Sequence, residues 1–60
     1  MTKKDLRIAL INHPNSKRII VDNLSDAYNW NVDESYYWNI IVFLEVVRQN
    51  NLWERLEKLL

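Results

Sequence analysis

No cysteine and no glycine occur in the 60 residues, and proline occurs once, at position 14. Without thiols there is neither a disulfide nor a thiolate zinc site to brace the chain, at a length where one hydrophobic core is barely sufficient. Helix packing and self-association are the supports that remain. The absence of glycine excludes P-loops, glycine-rich dinucleotide turns and Asn-Gly hairpins. An excess of one charge is missing too. Eight Lys+Arg stand against eight Asp+Glu, which excludes the broad basic field of a nonspecific DNA binder. The longest apolar run, Ile40-Ile41-Val42-Phe43-Leu44, stops at Glu45, well short of the roughly 20 residues needed to cross a bilayer. Met1 is followed by Thr2-Lys3-Lys4-Asp5 with no apolar core of a signal peptide behind it. The expectation is a soluble, cytoplasmic protein, a single domain over residues 1–60, whose partners are neither nucleic acid nor membrane.

What is present reads as helices. Thr2 can cap a first helix with Asp5 in its first turn, and Leu6, Ala9 and Leu10 recur at helical spacing, widened by Ile8 and Ile11. Asn12-His13-Pro14-Asn15-Ser16 is a stop and restart, since proline cannot continue a helix and pushes His13 out of helical geometry. Asn15 or Ser16 can cap a second helix carrying Ile19, Ile20, Leu24 and Ala27, whose pattern fades around Asn29-Trp30-Asn31. Asp33 can cap a third, reaching about Gln49, with Tyr37, Ile40, Ile41, Leu44 and Val47 as its main face. Trp38, Val42, Phe43 and Val46 fill much of the remainder, so this helix is expected at the centre. Asn51-Leu52-Trp53-Glu54 fits a capping box for a fourth helix bearing Leu52, Leu56, Leu59 and Leu60. The fold class is therefore all-α, a compact bundle of four to six short helices, with a short extra turn near residues 26–30. The expected core is Leu6, Leu10, Ile20, Leu24, Ile40, Leu44, Val47, Leu52 and Leu56, joined by Trp38 and Trp53.

The chemistry-bearing residues do not assemble into a catalytic or metal-binding pattern. His13 is the single histidine and sits beside Pro14 in a loop, without the neighbours a triad or metal site requires. Ser16, Ser25 and Ser35 lie near helix starts or turns, where serine caps. Asp33-Glu34 suits the positive end of a helix dipole better than acid–base work. Asp22 and Asp26 share one helix face but lack a third ligand or the glycine of a calcium loop. No cofactor is expected, and no enzymatic activity.

The order of the charges is more informative. Residues 1–20 carry Lys3, Lys4, Arg7, Lys17 and Arg18 against Asp5, a net of +4. Residues 21–45 carry Asp22, Asp26, Asp33, Glu34 and Glu45 with no base, a net of −5. Unlike patches let copies of one chain meet head to tail. They can equally pair within one molecule or remain solvated. Tyr28, Trp30 and Tyr36 flank the middle loop, where tyrosine and tryptophan serve as contact anchors; Trp30 can instead fold back over the core edge. The expected interaction residues are thus Lys3, Lys4, Arg7, Lys17, Arg18, Asp22, Asp26, Trp30, Asp33, Glu34 and Tyr36.

From Tyr37-Trp38-Asn39-Ile40-Ile41 through Asn50-Asn51-Leu52-Trp53-Glu54-Arg55-Leu56, the chain resembles the second half of the effector-associated domains of bacterial conflict systems, members of the death-like superfamily. In that family a tryptophan opens a long helix, an apolar pair follows, and a polar break leads to Leu-x-x-x-Leu. The Leu6–Leu10 helix, the break at Pro14 and Ser16-Lys17-Arg18-Ile19-Ile20 fit the first half in order. The break residues are Asn where the family often has Gly, and the chain is short for six full helices. The resemblance implies a death-fold-like, non-catalytic adaptor of bacterial immunity that pairs with itself or with a matching death-like domain, forms a homo-oligomer and recruits an effector. Two alternatives stand beside it: a small helical antitoxin or inhibitor with one unlike partner, and a helix-turn-helix regulator. The acids at 22, 26, 33 and 34 disfavour the second, because a recognition helix is basic.

Overall fold

In a computed structural model describing residues 1–60, every regular element is a helix. Helix α1, Lys3–Asn12, begins where Thr2 places its Oγ1 to accept the Asp5 N–H at 3.1 Å, a cap typically contributing about 1 kcal/mol. Leu6 and Leu10, one turn apart, are its buried residues. Pro14 enforces the corner, and α2 follows as Ser16–Asn23. The restart differs from a side-chain cap. Asn15 occupies the capping position without a side-chain hydrogen bond. Ser16 is fully buried and donates backwards, to the Leu10 carbonyl and to the His13 carbonyl at 3.2 Å. These acceptors lie at the end of α1, where carbonyls lose their intrahelical partners. His13 is half-buried rather than fully solvated, and its Nδ1 accepts the Asn15 N–H at 3.0 Å.

Helix α2 stops at Asn23, earlier than its apolar pattern implies, and Ser25–Ala27 forms the expected extra turn. The Ala27 and Tyr28 N–H groups both bond to the Leu24 carbonyl, at 3.0 and 2.9 Å. Ser and Asp offer the backbone local alternatives to a helix. Leu24 remains in the core as the helix's C-cap.

Helix α3 is Tyr36–Asn50, capped by Ser35, whose hydroxyl accepts the Trp38 N–H at 3.1 Å. Asp33 is not the cap. Its N–H is held by the Asn31 side chain at 3.0 Å in a turn before the helix. Helix α4 is Trp53–Leu59, with Leu52 at its cap position and no side-chain cap bond. Asn51 serves the preceding helix instead: it sits in the left-handed region at φ 52° and ψ 52°, closing α3. A short polar side chain tolerates that conformation far better than most residues.

Helix α3 packs against each of the other three, as its nearly continuous apolar surface requires. The core is one cluster: Leu6, Leu10, Ile20, Leu24, Ile40, Phe43, Leu44, Val47, Trp53 and Leu56. Leu52 lies at its edge, half-buried. The face that α3 buries is rotated from the expected one. Asn39, Ile40, Phe43, Leu44 and Val47 turn inward, whereas Tyr37 and Ile41 turn out. Trp38, expected in the core, is 52% exposed. No helix is long and apolar enough to cross a membrane.

Candidate protein-interaction surface

The rotation of α3 has a local cause. Asn39 is fully buried, and all of its polar atoms are used. Its Oδ1 accepts the Tyr28 hydroxyl at 2.6 Å and the Asn31 N–H at 2.8 Å. Its Nδ2 donates to the carbonyls of Asn31 and Ser35, both at 2.9 Å, and to Glu34 at 3.5 Å. One side chain thus fastens the whole segment between α2 and α3 onto the side of α3 that carries Phe43. Tyr28 follows, its ring edge-on to Phe43 with centroids 5.7 Å apart. It is half-buried rather than a free contact residue, and burial raises its phenol pKa. Trp30 also folds back over the core edge, with the Lys17 ammonium 5.6 Å from its ring centre. Tyr36 is marginally exposed and stacks between Trp30 and Tyr37, at 5.7 Å from each.

With that side covered, the opposite side of α3 is bare. Tyr37 is 65% exposed and Ile41, one turn further on, 60%. Trp38 stands beside them, and Val32 in the preceding loop is 82% exposed. Glu45 and Arg48 continue the same face towards the C-terminal end of the helix, hydrogen-bonded to each other. That bond holds the Glu45 carboxyl below its ordinary pKa and raises Arg48. Ile8 and Ile11 are large exposed aliphatics of α1.

The expected charged residues fall into two groups. Some are occupied within the molecule. Arg55 grips Asp26 with two nitrogens, at 2.7 and 2.9 Å, and the Asn23 carbonyl at 2.9 Å. Its guanidinium lowers the Asp26 carboxyl pKa. Arg18 lies 3.7 Å from Asp22 along α2. Asp22 and Asp26, expected on one face, therefore serve different partners. An open groove of about 340 Å³ runs past Pro14, Lys17, Arg18 and Val21.

The remainder carry no ion pair: Lys3, Lys4, Arg7 and Lys17 among the bases, Asp33 and Glu34 among the acids. Lys3 and Arg7 lie over the ring of Trp53, at 5.7 and 4.9 Å from its centre. Trp53 opens α4, directly after α3. Arg7 is also near enough to Glu45 to help lower its pKa. The start of α1 therefore lies by the end of α3 and the beginning of α4. Bases gather at the C-terminal end of the bare face, while Asp33 and Glu34 flank its N-terminal end.

The expected apolar anchors are not the most open aromatic and aliphatic side chains. Trp30 is partly covered and Tyr36 marginal, while Tyr37, Trp38 and Ile41 are open. The missed signal was Asn39, the one uncharged polar residue amid the apolar stretch Tyr36–Leu44, which marks the side of the helix that the loop covers. Comparison of the chain with protein-family models, with curated proteins and with solved structures finds no match.

Proposed function

We propose that this chain is a non-catalytic assembly module that binds copies of itself, or a chain carrying a matching domain, and so recruits an effector. The bare face of α3 carries the reading: Tyr37, Trp38 and Ile41, three large apolar side chains more than half exposed on adjacent turns of the central helix. Aromatic and aliphatic groups grouped in this way, beside unpaired charges, are typical of a contact surface. The small core gives a second motive, because association adds buried area that the chain alone cannot supply.

The death-like resemblance supplies the adaptor role and the setting in bacterial defence. Its support is the order of the parts: an opening helix, a break at Pro14, a long helix from Tyr36 and a closing helix after a polar break. The death fold has six helices. Here four are present, with a turn and a loop between α2 and α3, so the form proposed is a reduced one.

Sedimentation or multi-angle light scattering over a concentration series tests the reading. The apparent mass is expected to rise with concentration. A mass fixed at the 7.3 kDa monomer up to millimolar protein would remove self-assembly.

A further inference from the structure

We propose that the chain pairs with a second copy through the bare face of α3, antiparallel and about a two-fold axis near Ile41, rather than head to tail in an open chain. The inference rests on the assembly reading above and adds its surface and symmetry.

The bare face has opposite charge at its two ends. Its N-terminal end has Asp33 and Glu34, neither in an ion pair. Its C-terminal end has Arg48, paired with Glu45, and Arg7 and Lys3 of α1 close by, which leaves bases in excess there. A parallel arrangement of two such faces sets acid against acid and base against base. An antiparallel one sets each acidic end against a basic end, and the two-fold repeats the match on both sides. The register follows from the spacing. Ile41 lies midway in the sequence between Glu34, in the bend just before α3, and Arg48, so an axis near Ile41 brings the acidic end of one copy towards the Arg48 end of the other. Within α3, positions 38, 41, 45 and 48 repeat with the alternating three- and four-residue steps of a helix–helix seam. Trp38 and Ile41 supply its apolar middle.

The head-to-tail alternative is weakened by the same structure. Of the residues it drew on, Arg18, Asp22 and Asp26 are engaged within the molecule, Arg18 with Asp22 and Asp26 with Arg55, while Lys3, Lys4, Arg7, Lys17, Asp33 and Glu34 are in no ion pair. The two-fold contact draws on Asp33, Glu34, Lys3 and Arg7, which are in no ion pair, and on Arg48, whose guanidinium is shared with Glu45 of its own helix. Size sets a demand on the contact. A stable interface takes about 800 Å² from each partner, roughly a fifth of the 4199 Å² this chain exposes. Tyr37, Trp38 and Ile41 are the apolar part of that area.

The absence of cysteine makes a direct test possible. A chain with the single substitution Ile41→Cys, mildly oxidised at a concentration where the wild type is associated, is expected to give one disulfide-linked dimer. Near a two-fold axis the two introduced thiols fall within bridging distance of each other. Lys58→Cys, on the exposed side of α4, is expected to stay unlinked. In light scattering the wild-type mass is expected to level off at twice the monomer. Ile41→Arg should weaken pairing by roughly tenfold to a hundredfold, and Glu34→Lys should weaken it less, with unchanged helical circular dichroism for both. Assembly that continues past the dimer, or an associated Ile41→Cys chain that forms no disulfide link, overturns the two-fold contact and leaves self-assembly standing. A monomer at every concentration overturns both.

Discussion

Asn39 decides the arrangement of this small protein more than any apolar residue does. A buried amide is costly unless every donor and acceptor is met, and here all are. The partners it satisfies are the Tyr28 hydroxyl and backbone groups at Asn31, Glu34 and Ser35, so the network substitutes for secondary structure in the segment between α2 and α3. Asn39→Leu keeps the volume and removes the hydrogen bonds. It leaves the Tyr28 hydroxyl and the Asn31 N–H without their Asn39 partner at a part-buried site, while the Asn31 and Ser35 carbonyls keep the Glu34 and Asn39 N–H groups; an unmet buried group costs about 1–3 kcal/mol. The expected outcome is a loss of roughly 2–4 kcal/mol, a large share of the stability of a chain this size, measured by urea unfolding. Tyr28→Phe should lose less, because one hydroxyl goes and its Asn39 acceptor keeps the Asn31 N–H. Equal midpoints for wild type and Asn39→Leu would mean that the loop is held by packing alone.

At the scale of elements, the helices were legible wherever a local signal stood alone. Thr2 with Asp5, Pro14 and the Leu52–Leu56 spacing each point to one boundary or one face, whereas before α3 two capping residues compete, Asp33 being the one expected and Ser35 the one found. Two features were not legible. The apolar surface of α3 is nearly continuous, so periodicity could not say which side meets the loop; the choice falls to Asn39 and is a tertiary effect. Asn51 was readable as either the end of one helix or the cap of the next, since asparagine suits both. The structure gives it to α3, in the left-handed region. The bare face of α3 was not legible for the same reason: which apolar side chains it exposes depends on the rotation of the helix. The Asn51 assignment makes a prediction. Asn51→Gly should hold or slightly raise the melting temperature, because glycine takes positive φ without steric cost. Asn51→Ala should lower stability by about 1 kcal/mol. If Asn51 were the N-cap of α4, Gly and Ala would both weaken the closing helix, and the ordering would not split on backbone conformation.

For the molecule as a whole, the closing helix is the part least able to stand alone. Helix α4 has seven residues, well below the length at which an isolated helix holds in water. Burial of Trp53 and Leu56 attaches it, and two polar contacts fasten it to distant parts of the chain. The Met1 amino group reaches Glu57 at 3.0 Å, and Arg55 spans to Asp26 and Asn23. The Arg55 clasp has a pH signature. Its hydrogen bonds hold the Asp26 carboxyl below the ordinary value of 3.8. A carboxylate whose pKa is lower in the folded state contributes stability above its unfolded value and loses it as pH falls through the folded one. Both groups are exposed, so the effect is modest and screened by salt. The comparison that isolates it is wild type against Arg55→Met, melted between about pH 6 and pH 2 in low salt. Wild type should be the more stable across the upper part of this range. Its advantage should shrink once pH drops below about 4, leaving the pH-independent part owed to the Asn23 carbonyl. Glu45 titrates in both proteins, held by Arg48 within α3, and cancels in the difference. A gap between the two melting curves that stays constant down to pH 2 would mean that Arg55 supports α4 through packing and not through Asp26.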